Sequence, residues 1–192
     1  MNRYRRRILD AFRAVLAPHA PVSRGLDFGG GDGWFAWSLQ QAGLAREIVA
    51  VDVQARPHTF APVTLYDGKR LPFADRSFDL VSSVDVLHHC PDPRASLGEL
   101  LRCAGRFFLI KDHTYRGATG KLALCVLDEI GNRRFGIPSP YHYQKNWEWS
   151  PCIEAAGFIL RQTIHPARCH SGPLGWATNP LQFISLWERR VD

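Results

Sequence analysis

Gly25-Leu26-Asp27-Phe28-Gly29-Gly30-Gly31-Asp32-Gly33 is the stretch from which the rest of the chain is read. Its first half predicts the end of a buried strand, Arg24 to Phe28. A helix then begins near Trp34 and runs through Leu39 to Ala42, with Gly43 as its stop. Between them, the glycines at 29, 31 and 33 let the backbone turn sharply and leave no side chain between it and a ligand. A plain strand-to-helix turn rarely needs glycine at 29, 30, 31 and 33 together. A strand, a glycine loop and a helix in this order at the start of an α/β domain form a nucleotide-cofactor site.

The ligand follows from spacing and charge. A dinucleotide loop reads G-x-G-x-x-G, and here Trp34 stands where its third glycine belongs. Asp27 and Asp32 flank the loop, which itself carries no Lys or Arg, so a pyrophosphate would sit beside a like charge. S-adenosylmethionine (SAM) has no phosphate; its sulfonium and ammonium are cationic and suit neighbouring carboxylates. The loop therefore reads as a SAM site.

The length, 192 residues, fits one domain with a sizeable core, and 45% apolar residues is a globular composition. No apolar run is long enough to span a bilayer. The five cysteines, Cys90, Cys103, Cys125, Cys152 and Cys169, are odd in number and widely spaced, which points to a reducing cytoplasm. Much of the +6 net charge lies in Arg3, Arg5, Arg6, Arg7 and Arg13. These belong to a basic amphipathic helix within residues 1–20, with Ile8, Phe12, Val15 and Leu16 at helical spacing. The expectation is that this helix covers the edge of the cofactor cleft with its arginines solvated; a weak contact with an anionic membrane surface is the sharper alternative.

Further along, Glu47 to Val53 reads as a second strand buried on both faces, with Asp52 at its C-terminal end, placed to accept from two ribose hydroxyls. Val63 to Asp67 is a short third strand closed by Gly68, Phe78 to Ser83 a fourth, and Arg106 to Lys111 a fifth. Pro91 and Pro93 open a helix that reaches about Ala104. Phe158 to Ile164 and Leu181 to Trp187 supply a sixth strand and an antiparallel seventh. Strands alternating with helices at this spacing predict an α/β fold with a doubly wound sheet of seven strands, mostly parallel.

The motifs Leu26-Asp27-Phe28-Gly29-Gly30-Gly31-Asp32-Gly33, Val51-Asp52-Val53, Asp67 ahead of Leu71-Pro72-Phe73, Ser77-Phe78-Asp79-Leu80-Val81 and Leu87-His88-His89 occur in that order. Together they resemble the class I SAM-dependent methyltransferases, and within them the small-molecule group that includes the ubiquinone and menaquinone methyltransferases. That resemblance implies a Rossmann-like sheet and a role for each matching position. Gly29, Gly30 and Gly31 pass under the methionine moiety, and Asp27 orients its ammonium. Asp52 takes the ribose hydroxyls and Val53 packs on the adenine. Asp67 accepts from the adenine amine with Gly68 alongside, and the chain near Val84 meets the methionine end.

Residues 112–146 leave a C-terminal strand end, where ligands bind in such sheets, and read as a lid over the acceptor. Tyr115, Phe135, Tyr141, Tyr143, Trp147 and Trp149 are candidates to wall an aromatic or lipid-like small molecule. Leu122 to Ile130 and Trp147 to Ala156 read as helices, and His165 to Asn179 as a loop. A hydroxyl acceptor is helped by a general base. His113 is the first candidate, at a strand end, followed by His89, His88 and His142. No metal is expected: neither His88-His89-Cys90 nor the stretch from His165 to His170 has paired ligand spacing, and adjacent residues diverge on a strand or loop. Methylation of oxygen or carbon is favoured over nitrogen. The alternatives are an NAD-type oxidoreductase, against which Trp34 and the acidic loop argue, and a nucleic-acid methyltransferase, supported only by the basic N-terminus.

Overall fold

A computed structural model describes residues 2–132 and 140–190. Phe135, one of the candidate wall residues, lies outside them. The chain opens with α1 (Arg3–Leu16), whose first turn is capped by the Asn2 side chain accepting from the Tyr4 amide at 2.9 Å. Ile8, Leu9, Phe12, Val15 and Leu16 are buried, so the apolar stripe seen in the sequence is the packed face.

Eight strands form one sheet: β1 (Val22–Phe28), β2 (Ala45–Asp52), β3 (Val63–Leu65), β4 (Phe78–Val84), β5 (Ala104–Tyr115), β6 (Gln144–Lys145), β7 (Phe158–Ile164) and β8 (Gln182–Arg189). Their spatial order is β3-β2-β1-β4-β5-β8-β7, with β6 paired beside the end of β5. The pairs from β3 across to β5 are parallel, and β8 runs antiparallel to both β5 and β7. This is the expected seven-stranded path with a two-residue strand added. One apolar cluster joins α1 and α2 (Trp34–Gln41) to one face of the sheet. A second joins α3 (Pro93–Cys103) and α5 (Ser150–Ala155) to the other. Strands buried on both faces must be apolar throughout, which is why β1 and β2 show so little alternation.

Four segments depart from the sequence expectation. β5 runs on to Tyr115 instead of ending at Lys111, because β8 continues the ladder as far as His113 opposite Gln182. The Gly- and Pro-rich stretch expected as a loop contains α6 (Gly172–Thr178). The fifth helix begins at Ser150, not Trp147, since Asn146 and Trp147 hold φ of +49° and +63° and cannot continue an α-helix. The remaining helix, α4 (Ala118–Asn132), is longer than expected.

The parallel strands all deliver their C-terminal ends to one edge. Phe28, Asp52, Val84 and Tyr115 leave the sheet there, and that edge carries the candidate site.

Candidate functional site

The loop after β1 turns through three glycines with φ of +64° at Gly29, +59° at Gly31 and +73° at Gly33. Two of them are pinned by close neighbours. A Cβ on Gly29 would overlap the Val86 side chain, and one on Gly33 would come within 2.9 Å of the Ala61 carbonyl oxygen. Gly31 differs: nothing but the Gly29 carbonyl lies within 4 Å of where its Cβ would be. Its backbone faces open space, as a cradle for a ligand must.

Asp52, at the end of β2, sits beside that space and is 8% exposed. Its Oδ2 accepts from the Gly31 amide at 2.8 Å and its Oδ1 from the Gln54 amide at 2.9 Å. An ionised carboxylate has about four acceptor positions, so two remain for ligand hydroxyls. Val53 follows, 61% exposed, a large apolar side chain held out of the core. A Cβ on Gly68 would lie 3.2 Å from Val53, so these two residues adjoin. Asp67 is exposed and accepts from the Lys69 amide at 2.9 Å.

Beneath the loop, Asp27 is 2% exposed. Its Oδ1 accepts from the Ser82 hydroxyl at 3.1 Å, while Oδ2 has no hydrogen-bond partner. Burial pushes its pKa up to about 7, against the pull of the Ser82 hydrogen bond. A buried, half-satisfied carboxylate behind a glycine cradle is the feature a cationic ligand would relieve.

Asp32 is not a ligand group in this arrangement. Its Oδ1 accepts from the Trp34 amide at 3.2 Å, and its Oδ2 pairs with Arg5 at 2.7 Å. The negative charge left at the loop is therefore that of Asp27 and Asp52, because Arg5, distant in sequence, neutralises Asp32. The same contact corrects the picture of a wholly solvated α1: Arg5 is one of its ties to the cofactor loop.

A second tie runs to the chain after β4, where Asp85 has φ +57°. The Tyr4 hydroxyl donates to Asp85 Oδ2 at 2.7 Å. Lys111 on β5, fully buried, donates to Asp85, to Gln182 and to the Tyr4 hydroxyl. Burial works against the Asp85 charge, but Lys111 and His113 hold its pKa below the ordinary value. Val84 packs against the core as the last residue of β4, and Val86 closes against Gly29.

Next to Asp85 lies a cluster of histidines and carboxylates from three elements. His88 and His89 share a 3₁₀ turn (Leu87–His89), with ring centroids 4.1 Å apart. His88 Nδ1 lies 2.6 Å from Asp112 Oδ1, and its Nε2 is 3.7 Å from Asp128 Oδ2 on α4. The Tyr143 hydroxyl donates to that same Asp128 oxygen at 2.5 Å and also reaches the Leu124 carbonyl at 3.1 Å. Burial opposes a charge on His88, yet Asp112 and Asp128 raise its pKa to about 10. His113 on β5 is 7% exposed, with Nδ1 3.4 Å from Asp112 and 3.7 Å from Asp85 but hydrogen-bonded to neither. Burial and the Lys111 charge push its pKa down.

The histidines at 88, 89 and 113 are thus brought together, as are Asp27, Gly29, Gly30, Gly31 and Asp52. His142 is exposed and bonds the Cys90 carbonyl at 3.0 Å. Of the candidate wall rings, Trp149 is core, 3% exposed. Trp147 packs on Phe183 with centroids 5.0 Å apart, and Tyr143 serves Asp128. The sequence does not reveal Asp85, Lys111, Asp112 or Asp128 as partners; the only signal was three charged or polar residues closing an apolar strand.

A parallel sheet with an antiparallel β8 inserted before its last edge, and a glycine cradle facing a strand-end carboxylate, form the Rossmann-like arrangement of the class I methyltransferase fold. Residues 1–158 match the methyltransferase domain family, and the chain belongs to it. The nicotinamide reading gives way accordingly. A demethylmenaquinone methyltransferase of Renibacterium salmoninarum is 30% identical over 157 residues, 74% of this chain and 63% of that protein. An uncharacterised methyltransferase of Mycobacterium avium is 36% identical over 172 residues, 85% of this chain and 60% of that one. The chain therefore spans a little over three-fifths of the length of these relatives. Among solved structures, the magnesium protoporphyrin IX methyltransferase of Synechocystis, determined with bound S-adenosylhomocysteine (SAH), superposes with a TM-score of 0.66 at 20% identity. That alignment covers 97% of this chain and 84% of the other. No helix among the described residues is long and apolar enough to cross a membrane.

Proposed function

We propose that this chain moves a methyl group from SAM to oxygen or carbon of a small-molecule acceptor. The observation that carries the reading is the pairing of the open Gly31 cradle with Asp52, whose carboxylate already holds the Gly31 amide at 2.8 Å. When bound, SAM supplies an electrophilic methyl on a cationic sulfur. The protein's part is position and charge. Asp52 uses its remaining acceptor capacity on the ribose hydroxyls. Val53 lies against the adenine, and Asp67 beside Gly68 receives its amine. Gly29, Gly30 and Gly31 carry the methionine end, with Asp27 behind them for the ammonium and Val84 to Val86 at the side.

The acceptor approaches from the lid of residues 112–146. His113, whose buried Nδ1 makes no hydrogen bond, is our candidate to take a proton from an acceptor hydroxyl. His89, whose ring adjoins His88, is the alternative. The lid helix α4 presents Leu122, Val126 and Ile130, at least half exposed and spaced one turn apart, as an apolar stripe. An aromatic or lipid-like acceptor suits such a stripe, and demethylmenaquinone, named for the Renibacterium relative, is a compound of that kind.

The test is transfer of labelled methyl from SAM to panels of phenols, quinones and lipids, with nucleic acid as a further panel. Label in a phenol, quinone or lipid product supports the reading. Label in nucleic acid alone would replace it.

A further inference from the structure

We propose that His88, His89 and Asp128 form a binding site for a divalent first-row transition ion, with Asp112 and Tyr143 as its outer partners. The sequence argues against metal because adjacent side chains usually diverge. Here the 3₁₀ turn brings His88 and His89 side by side, and α4 returns Asp128 to them.

One ligand atom from each residue lies within 4.8 Å of the other two. His88 Nε2 is 3.7 Å and His89 Nε2 4.0 Å from Asp128 Oδ2. Ligand atoms about 2.0–2.1 Å from a tetrahedral ion stand roughly 3.3 Å apart, so the closure needed on these two edges is a fraction of an ångström. A side-chain rotation at the partly accessible His89 or Asp128 supplies that movement.

The second observation is independent of these spacings. His88 Nε2 is buried, has no hydrogen-bond partner and is directed at Asp128; an ion bound there displaces to solvent the proton that the two carboxylates favour on the ring. The other nitrogen of the same ring is fixed by Asp112 at 2.6 Å. A carboxylate on one imidazole nitrogen, with the second left for an ion, is how metal-binding histidines are oriented. Asp128 in turn receives the Tyr143 hydroxyl. Both the histidine and the carboxylate thus have a hydrogen-bonded support behind them.

A rival set, His88, Asp112 and His113, is equally compact. It spends the His88 nitrogen that Asp112 already occupies, and Asp112 is fully buried. The chosen set reaches solvent through His89 and Asp128, whose side chains are 15% and 9% exposed.

Two imidazoles and one carboxylate suit zinc, iron(II), cobalt(II) or nickel(II) rather than calcium or magnesium. Three protein ligands leave positions for water or an acceptor oxygen. The latter role rests on the acceptor-side reading of this pocket; ion binding itself does not.

The test uses the full chain, stripped with a chelator and titrated with Zn2+ by calorimetry and with Co2+ by visible absorption. One equivalent of Zn2+ and a d–d band for Co2+ are expected. His89→Gln and Asp128→Asn should each weaken binding at least 100-fold, Asp112→Asn by 10- to 100-fold, and His165→Gln not at all. Absence of stoichiometric Zn2+ and of the Co2+ band in the wild type would overturn the proposal and leave an ion-paired cluster. So would unchanged affinity in His89→Gln and Asp128→Asn. If those variants fail to fold by circular dichroism, the wild-type stoichiometry and spectrum decide. SAH titration of the same samples separates this outcome from the SAM reading.

Discussion

Replacing Asp27 by asparagine is expected to stabilise the unliganded protein at alkaline pH while weakening its hold on SAM. Asp27 is 2% exposed with one oxygen unpartnered, and burial raises its pKa to about 7. The unfolded chain holds the same group near the ordinary 3.8. Below that value both states are protonated and the group costs nothing. Between there and 7 the unfolded state sheds its proton and the folded state keeps it, so stability falls as pH rises. Above 7 the penalty is complete. Each pH unit inside the window is worth about 1.4 kcal/mol. From pH 5 to pH 8, only the two units up to 7 contribute, giving roughly 2 to 3 kcal/mol. Urea unfolding of wild type and Asp27→Asn at both pH values reads this directly. The stability difference between variant and wild type should shift by that amount in favour of the variant at pH 8, while steric effects of asparagine cancel. A ligand ammonium favours the ionised form, so SAM binding near pH 7 should release a proton, seen as a calorimetric enthalpy that depends on the buffer. A stability difference unchanged between pH 5 and pH 8 would refute the account of this carboxylate.

Other substitutions have equally definite outcomes. Gly29→Ala forces a Cβ into Val86 at φ +64° and should cost about 1–3 kcal/mol in urea unfolding; adding Val86→Ala should recover the steric part but not the backbone strain. Lys111→Met leaves Asp85, partly buried, with the Tyr4 hydroxyl beside it and should destabilise by up to roughly 3 kcal/mol. Asp85 has a lowered pKa in the folded protein, so its contribution is present above the unfolded carboxylate pKa and lost as pH falls through the folded one. The Lys111→Met deficit in thermal melts should therefore shrink on acidification. Arg5→Ala removes the partner of Asp32 and should lower SAH affinity several-fold in a calorimetric titration, since the glycine loop loses one tie to α1.

The geometry of the glycine loop and of Asp52 was legible because it is local. Gly29, Gly31 and Gly33 need positive φ wherever they occur, and Asp52 ends a strand whose apolar run fixes its position. The histidine–carboxylate cluster was not, because its partners meet across long stretches of chain. His88 finds Asp112 and Asp128, and Tyr4 finds Asp85 and Lys111, only after the sheet and α4 have formed. The end of β5 shows the reason in miniature. Asp112 and Thr114 read as chain leaving the strand after Lys111, yet all three are buried: β8 pairs with Lys111 and Asp112, β6 pairs with Thr114, and Lys111 and Asp112 have ion-pair partners. Gly172, Pro173 and Gly175 likewise hide a helix whose Thr178 hydroxyl bonds back to the Leu174 carbonyl at 2.7 Å. Asp32 carried the wrong weight in the charge argument because its counter-ion, Arg5, lies in another element.

The central claim is that the Gly31 cradle and Asp52 hold SAM. Calorimetric titration of wild type and Asp52→Ala with SAH and with NADH tests it most directly. The account predicts SAH binding that Asp52→Ala weakens at least tenfold, and none for NADH; SAH binding equal in both proteins, or binding of NADH alone, would contradict it.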